Sequence, residues 1–94
     1  MRRPISDGMY AIMVYDVGEE RLPKVLRRAR IYLTRVQNSV LEGELTEGDF
    51  VRLRTGVEGM IDEVHDSVIF YLFRTKYDAK VVLGRAKGEP SQFL

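Results

Sequence analysis

The chain has no cysteine, no tryptophan and a single histidine, His65. Without thiols there are no disulfides and no thiolate metal sites, and one imidazole cannot form a histidine cluster for zinc. Any bound metal therefore has to be a hard, oxygen-seeking ion. Side-chain amides are equally scarce, being limited to Gln37, Asn38 and Gln92, while charged residues make up 31% of the chain. That balance fits a thermophilic source. No apolar run approaches membrane-spanning length, and the N-terminus, Met1-Arg2-Arg3-Pro4-Ile5-Ser6-Asp7-Gly8, lacks the apolar segment of a signal peptide. The expectation is a cytoplasmic protein with no membrane partner. Net charge is only +1, so a nucleic-acid partner has to be argued from clustering and not from global charge. At 94 residues the chain makes one domain that buries roughly 60–65% of its unfolded surface. Anything larger must be built by association.

Against this background, the run Tyr10-Ala11-Ile12-Met13-Val14-Tyr15 stands out, because it is continuously apolar and ends in Asp16. Such runs read as strands covered on both faces, and a charge at the strand's end sits where the chain leaves the core. Catalytic and metal-binding carboxylates are often placed there. An Asp that merely caps the turn at Gly18 or opens the next helix would look the same in sequence. Beyond it, Arg21, Lys24, Arg27, Arg28, Arg30 and Arg35 follow with no acid among them, while Leu22, Val25, Leu26, Ala29 and Leu33 fall on one helical face. A one-sign face repels itself unless an anion relieves it. Eleven of the fifteen basic residues are Arg, the side chain that binds phosphate bidentately. Lys24, Arg27 and Arg28 are thus expected to contact a phosphate backbone.

The remaining elements read as follows. Thr34 to Gly43 alternates over part of its length and is expected as a second strand. Thr46-Glu47-Gly48-Asp49 offers a side-chain cap for a second helix carrying Phe50, Leu53, Val57, Met60 and Ile61 at helical spacing. Gly56 and Gly59 inside it imply close backbone packing or an early end. His65 lies in a polar turn and is expected to be idle. Val68 to Phe73 and Lys80 to Gly84 complete the strands. The order points to an α+β, ferredoxin-like βαββαβ sandwich with two helices on one face of an antiparallel sheet and one extra element to place. Both sides of the first strand are apolar: Tyr10, Ile12 and Val14 on one, Ala11, Met13 and Tyr15 on the other. A sheet face without helices should then be covered by a second copy, giving a sheet-to-sheet homodimer.

Several strings together carry a family resemblance: Tyr15-Asp16-Val17, Arg21 with Lys24-Val25, Arg35-Val36-Gln37-Asn38-Ser39-Val40-Leu41-Glu42, Asp66-Ser67-Val68 and Val81-Val82-Leu83-Gly84. From Met9 nearly to the C-terminus the chain resembles the CRISPR-associated endoribonuclease family, the smaller of the two core spacer-acquisition proteins. The resemblance implies a single domain over residues 9–94, preceded by an extension, 1–8, that should be disordered. It also implies a homodimer whose C-terminal strand, here Ser91 to Leu94, exchanges between subunits. Asp16 matches the residue that faces its symmetry mate across the dimer axis, where two copies would share Mg2+ or another divalent ion. Tyr15, Arg21 and Arg35 match positions implicated in nucleic-acid handling and stand with Asp16 as catalytic candidates; Ser39 is a weaker one. The partners implied are the CRISPR-associated integrase subunit and nucleic acid, as duplex DNA, single-stranded RNA or both. The activity implied is metal-dependent endonuclease cleavage beside a scaffold role in acquiring new spacers. A toxin-type ribonuclease of the same fold and a ferredoxin-like regulatory binding domain without catalysis are the alternatives.

Overall fold

In the computed structural model, residues 8–74 and 83–84 are described. The chain runs β1 (Gly8–Asp16), α1 (Leu22–Ala29), β2 (Thr34–Gln37), β3 (Val40–Thr46), α2 (Glu47–Glu58) and β4 (Ser67–Phe73). The four strands form one sheet in the order β2-β3-β1-β4, and every pairing is antiparallel. This is the βαββαβ arrangement the sequence implies, with β1 in the interior of the sheet.

The expected single strand over Thr34–Gly43 is two strands. The chain reverses at Asn38-Ser39, pairing Gln37 with Val40 and shifting register between Arg35 and Gln37. Reversals of this kind usually announce themselves with glycine, which takes a positive φ without a Cβ penalty. Here Ser39 takes it instead, at φ 69°, and the alternation of the flanking residues hides the turn. Ser39 is therefore a turn residue and not, as expected, a strand residue. With the hairpin counted as two strands, the described elements already make βαββαβ by Phe73. Of the expected strand Lys80–Gly84, only Leu83 and Gly84 are described, neither in a strand, and the tail Ser91–Leu94 lies outside the described residues.

Strand alternation sorts β1 into two faces. Ala11, Met13 and Tyr15 join Leu41 and Leu45 of β3, Val25 and Ala29 of α1, and Leu53 and Val57 of α2 in one buried cluster. Phe50 of α2 meets Phe70 of β4 edge to face, with ring centroids 5.2 Å apart. Both helices are placed by their ends. Thr46 caps α2, its Oγ1 accepting from the Asp49 N–H at 3.0 Å, and Gly59 terminates it, so Met60 and Ile61 pack on the core from beyond the helix. The basic helix is likewise shorter than its periodicity implies, because the chain leaves α1 after Ala29. The amides of Tyr32 and Leu33 both donate to Ala29 O as it turns towards β2. At Gly56 a β-carbon would overlap Nη1 of Arg28. That close approach is where α1 and α2 come together. The other sheet face carries Tyr10, Ile12 and Val14 from β1, opposite Phe73, Tyr71 and Ile69 of β4. Tyr71 remains 51% exposed and Ile69 44%, so this face keeps an apolar surface that the helices do not reach. Among the described residues, no helix is long and apolar enough to cross a membrane.

Candidate functional site

Asp16 is the last residue of β1 and is exposed. It lies on the helix-free face in series with Tyr10, Ile12 and Val14, and opposite Ser67 of β4. No hydrogen bond or ion pair joins its carboxylate to another described residue. Tyr15, one position earlier, projects to the other face, with 7% exposure in the helix-covered core. The structure thus separates two residues expected to act side by side. What Tyr15 contributes at this end of the sheet is its backbone N–H, which donates to Ser39 O at 3.1 Å. That bond holds the β2–β3 turn level with Asp16. Arg35, on edge strand β2, is tied to the same turn, through Nη2 to Asn38 Oδ1 at 3.1 Å and Nε to Gln37 O at 3.4 Å.

The densest polar arrangement centres on Asp66, whose pairing with Arg21 no local sequence pattern gives. Asp66, immediately before β4, has a fully buried side chain that accepts four hydrogen bonds. Its Oδ1 receives Gly18 N–H at 2.9 Å and Arg21 Nη2 at 2.9 Å; its Oδ2 receives Arg21 Nε at 2.6 Å and Asp62 N–H at 2.8 Å. A carboxylate offers about four acceptor positions, so this one is saturated. The Arg21 guanidinium holds the Asp66 carboxyl well below the usual carboxylate range, outweighing the opposing effect of burial. Reciprocally, the hydrogen bond to Asp66 raises Arg21. Arg21 is therefore occupied within the protein, with its Nη1 reaching Glu20 at 3.2 Å. Gly18 leaves room for this geometry, because a β-carbon there would stand 2.6 Å from Arg21 Nη2 and push the guanidinium against its bonds to Asp66. In sequence, the signal for Asp66 is the same as for Asp16, an acid at the mouth of an apolar strand. Its partner lies 45 residues away, which no local pattern reveals. His65 is exposed beside it; its Nδ1 lies 3.1 Å from Asp62 Oδ2, and that contact lowers the Asp62 carboxyl.

Along α1, Lys24, Arg27 and Arg30 are exposed and Arg28 is half-buried. Arg28 thus leans over α2 at Gly56 instead of standing with Lys24 and Arg27 on the solvent face. A groove of about 590 Å³ runs beside the helix between Leu22, Leu26 and Ile31, flanked by Arg27 and Arg30. Among the described residues, no group of three His, Cys, Asp or Glu side chains is placed to hold a metal ion.

The chain matches the family described as CRISPR associated protein Cas2 over residues 9–81. It is 53% identical over 87 residues to the CRISPR-associated endoribonuclease Cas2 of Dictyoglomus turgidum, covering 92% of this chain and 100% of that one. To the protein of the same name from Thermotoga maritima it is 51% identical over 82 residues, covering 86% and 94%. A crystal structure of a Cas2 superposes with a TM-score of 0.79 at 37% identity, covering 93% of this chain and 99% of that one. The Streptococcus pyogenes Cas2 structure at pH 6.5 gives 0.62 at 33% identity, covering 74% and 99%. Family profile, relatives and architecture agree over the segment that carries Asp16, Arg21, Arg35 and Asp66, and the chain belongs to the CRISPR-associated protein Cas2 family.

Proposed function

We propose that this protein works as a homodimer in CRISPR adaptation, as a scaffold that binds duplex DNA together with the integrase subunit, and that the same dimer is a metal-dependent endoribonuclease. The names of its relatives support the nuclease. The observation that carries the reading is the shared face of β1: Asp16 stands in line with Tyr10, Ile12 and Val14 on the side without helices. Stacking two such faces about a two-fold axis covers Tyr71 and Ile69 and brings two copies of Asp16 towards each other.

A lone exposed carboxylate is a poor site for a divalent ion. Magnesium, however, keeps several of its waters and is ordinarily held by one or two carboxylates. Two copies of Asp16 fit that requirement, and the absence of thiolate and clustered imidazole ligands agrees with a hard ion. When bound, the ion supplies Lewis-acid polarisation of the scissile phosphodiester. The chain's own residues do the rest. Asp16 holds charge at the reacting end of the sheet. Arg35, anchored to the Asn38 turn, offers its remaining N–H groups to a neighbouring phosphate. Lys24, Arg27 and Arg30 bind the nucleic-acid backbone further along α1, without reading sequence.

Cleavage of single-stranded RNA and of duplex DNA, with magnesium and with chelator, tests this reading when wild type is compared with Asp16→Asn. Magnesium-dependent cleavage that disappears in the variant is expected. Sedimentation of wild type beside Tyr71→Glu tests the dimer: wild type should sediment as a dimer at micromolar concentration and the variant as a monomer. Retained cleavage in Asp16→Asn, or a monomeric wild type, contradicts the reading.

A further inference from the structure

Asp16 owes its position to a strand end, and strand ends fray unless something ties them down. What ties this one down is Asp66. The residue after it, Ser67, is the register partner of Asp16. Its Oδ1 also accepts from the amide of Gly18, two residues past Asp16, at 2.9 Å. One buried carboxylate thus bonds the chain just beyond Asp16 and is covalently continuous with the residue facing Asp16. Arg21 closes the arrangement from the start of α1 by gripping both oxygens, at 2.6 and 2.9 Å. The Asp62 amide fills the last acceptor position, at 2.8 Å. With no acceptor capacity left, Asp66 is unable to bind a substrate or an ion directly.

We infer that Asp66 and Arg21 are a positioning pair for Asp16: they fix the β1–α1 loop against the start of β4, so that the Asp16 carboxylate stands at one height on the open sheet face. Resting as it does on Asp16 being the reactive carboxylate, the inference assigns Arg21 a task different from phosphate binding. Two copies of Asp16 meeting at a dimer axis would have to be placed alike, and displacement of a reacting group by about 1 Å can cost about 100-fold in rate. Neither member of the pair is Lys24, Arg27 or Arg30, so replacing Asp66 removes no charge from the basic residues of α1.

Three variants separate the possibilities: Asp66→Asn, which replaces one of two acceptor oxygens by a donor facing Arg21 and either Gly18 or Asp62; Gly18→Ala, which crowds Arg21 Nη2 without changing any charge; and Asp16→Asn. Each is purified as full-length protein and assayed for magnesium-dependent cleavage of a single-stranded RNA oligonucleotide, with kcat and KM measured separately. Exchange of the Gly18 and Asp62 amides is followed by NMR. Asp66→Asn and Gly18→Ala should each lower kcat about 10- to 100-fold while KM stays within about 2-fold of wild type. The amide of Gly18 or of Asp62, whichever faces the new NH2 group, should exchange faster in Asp66→Asn. If Asp16→Asn is inactive but a folded Asp66→Asn keeps kcat within about 2-fold of wild type, or changes KM alone, the positioning role is wrong. Should Asp66→Asn fail to fold, Gly18→Ala decides by the same criterion. A wild type without magnesium-dependent cleavage, or an Asp16→Asn variant as active as wild type, overturns the reading of Asp16 and this inference with it.

Discussion

Two aspartates stand at neighbouring strand ends, one residue out of register with each other, and their surroundings could hardly differ more. Asp16, at the end of β1, is exposed, and its carboxylate makes no hydrogen bond or ion pair with another described residue. Asp66, just before β4, is buried and saturated by Arg21, Gly18 and Asp62. A carboxylate with every lone pair committed within its own chain is a structural fastener. One held at a defined place with its lone pairs unspent is available to something outside the chain. Arg21, which the family resemblance set beside Arg35 as a candidate, is held by the fastener.

Replacing each aspartate by alanine should separate the two roles most sharply. Asp16→Ala should abolish cleavage while its unfolding free energy stays within about 0.5 kcal/mol of wild type, the usual range for an exposed substitution. Asp66→Ala should lower the thermal midpoint clearly, since it strands a half-buried guanidinium and two amide donors. Calorimetry on both variants checks this, and equal stability losses would erase the distinction.

Acid titration sharpens the comparison further. The folded Asp66 carboxyl lies below its unfolded value, so its stabilising contribution is fully present above about pH 4 and is lost as pH falls towards the folded value. Denaturant unfolding below pH 4 should therefore show wild type losing stability with a steeper pH slope than Asp66→Asn. A shared slope for wild type and Asp66→Asn would remove Asp66 from the acid limb.

A smaller effect is expected on α1. Replacing Lys24 and Arg27 by alanine should flatten the slope of log affinity for duplex DNA against log salt by about 0.9 for each phosphate that is no longer neutralised, roughly 2 units per chain, without altering sequence preference. Arg28→Ala should change the slope less, because Arg28 leans over Gly56. Fluorescence anisotropy across a salt series reads both. Smallest of all is Ser39→Gly, which relieves a positive φ but adds backbone freedom to the unfolded chain. The two effects oppose each other, and the net change in unfolding free energy should stay below about 1 kcal/mol.

The fold was legible in the sequence wherever periodicity and end signals agreed. The apolar run ending at Asp16, the Thr46 cap and the Gly56 close approach all lie where the residues imply. The β2–β3 hairpin was not, because Asn38-Ser39 turns the chain without glycine or proline, inside an alternating stretch. At the candidate site, the strand-end position of Asp16 was legible from the apolar run before it, whereas its candidacy as a reactive carboxylate came from the family resemblance. The placement of Tyr15 on the opposite face follows from strand alternation, once β1 is known to be interior. The Arg21–Asp66 pair depends on contact between two loops far apart in sequence, and sequence pattern carries no information about that closure.

The measurement that bears most directly on the account is cleavage of single-stranded RNA by purified wild type and Asp16→Asn in excess magnesium, each first shown by sedimentation to be in the same oligomeric state. The account predicts that the two proteins share a fold and a dimer while only the wild type cleaves, because the exposed carboxylate at the end of β1 serves the reaction and not the core. Equal cleavage by both would contradict it and would leave Asp16 as nothing more than the charge on which a strand leaves the sheet.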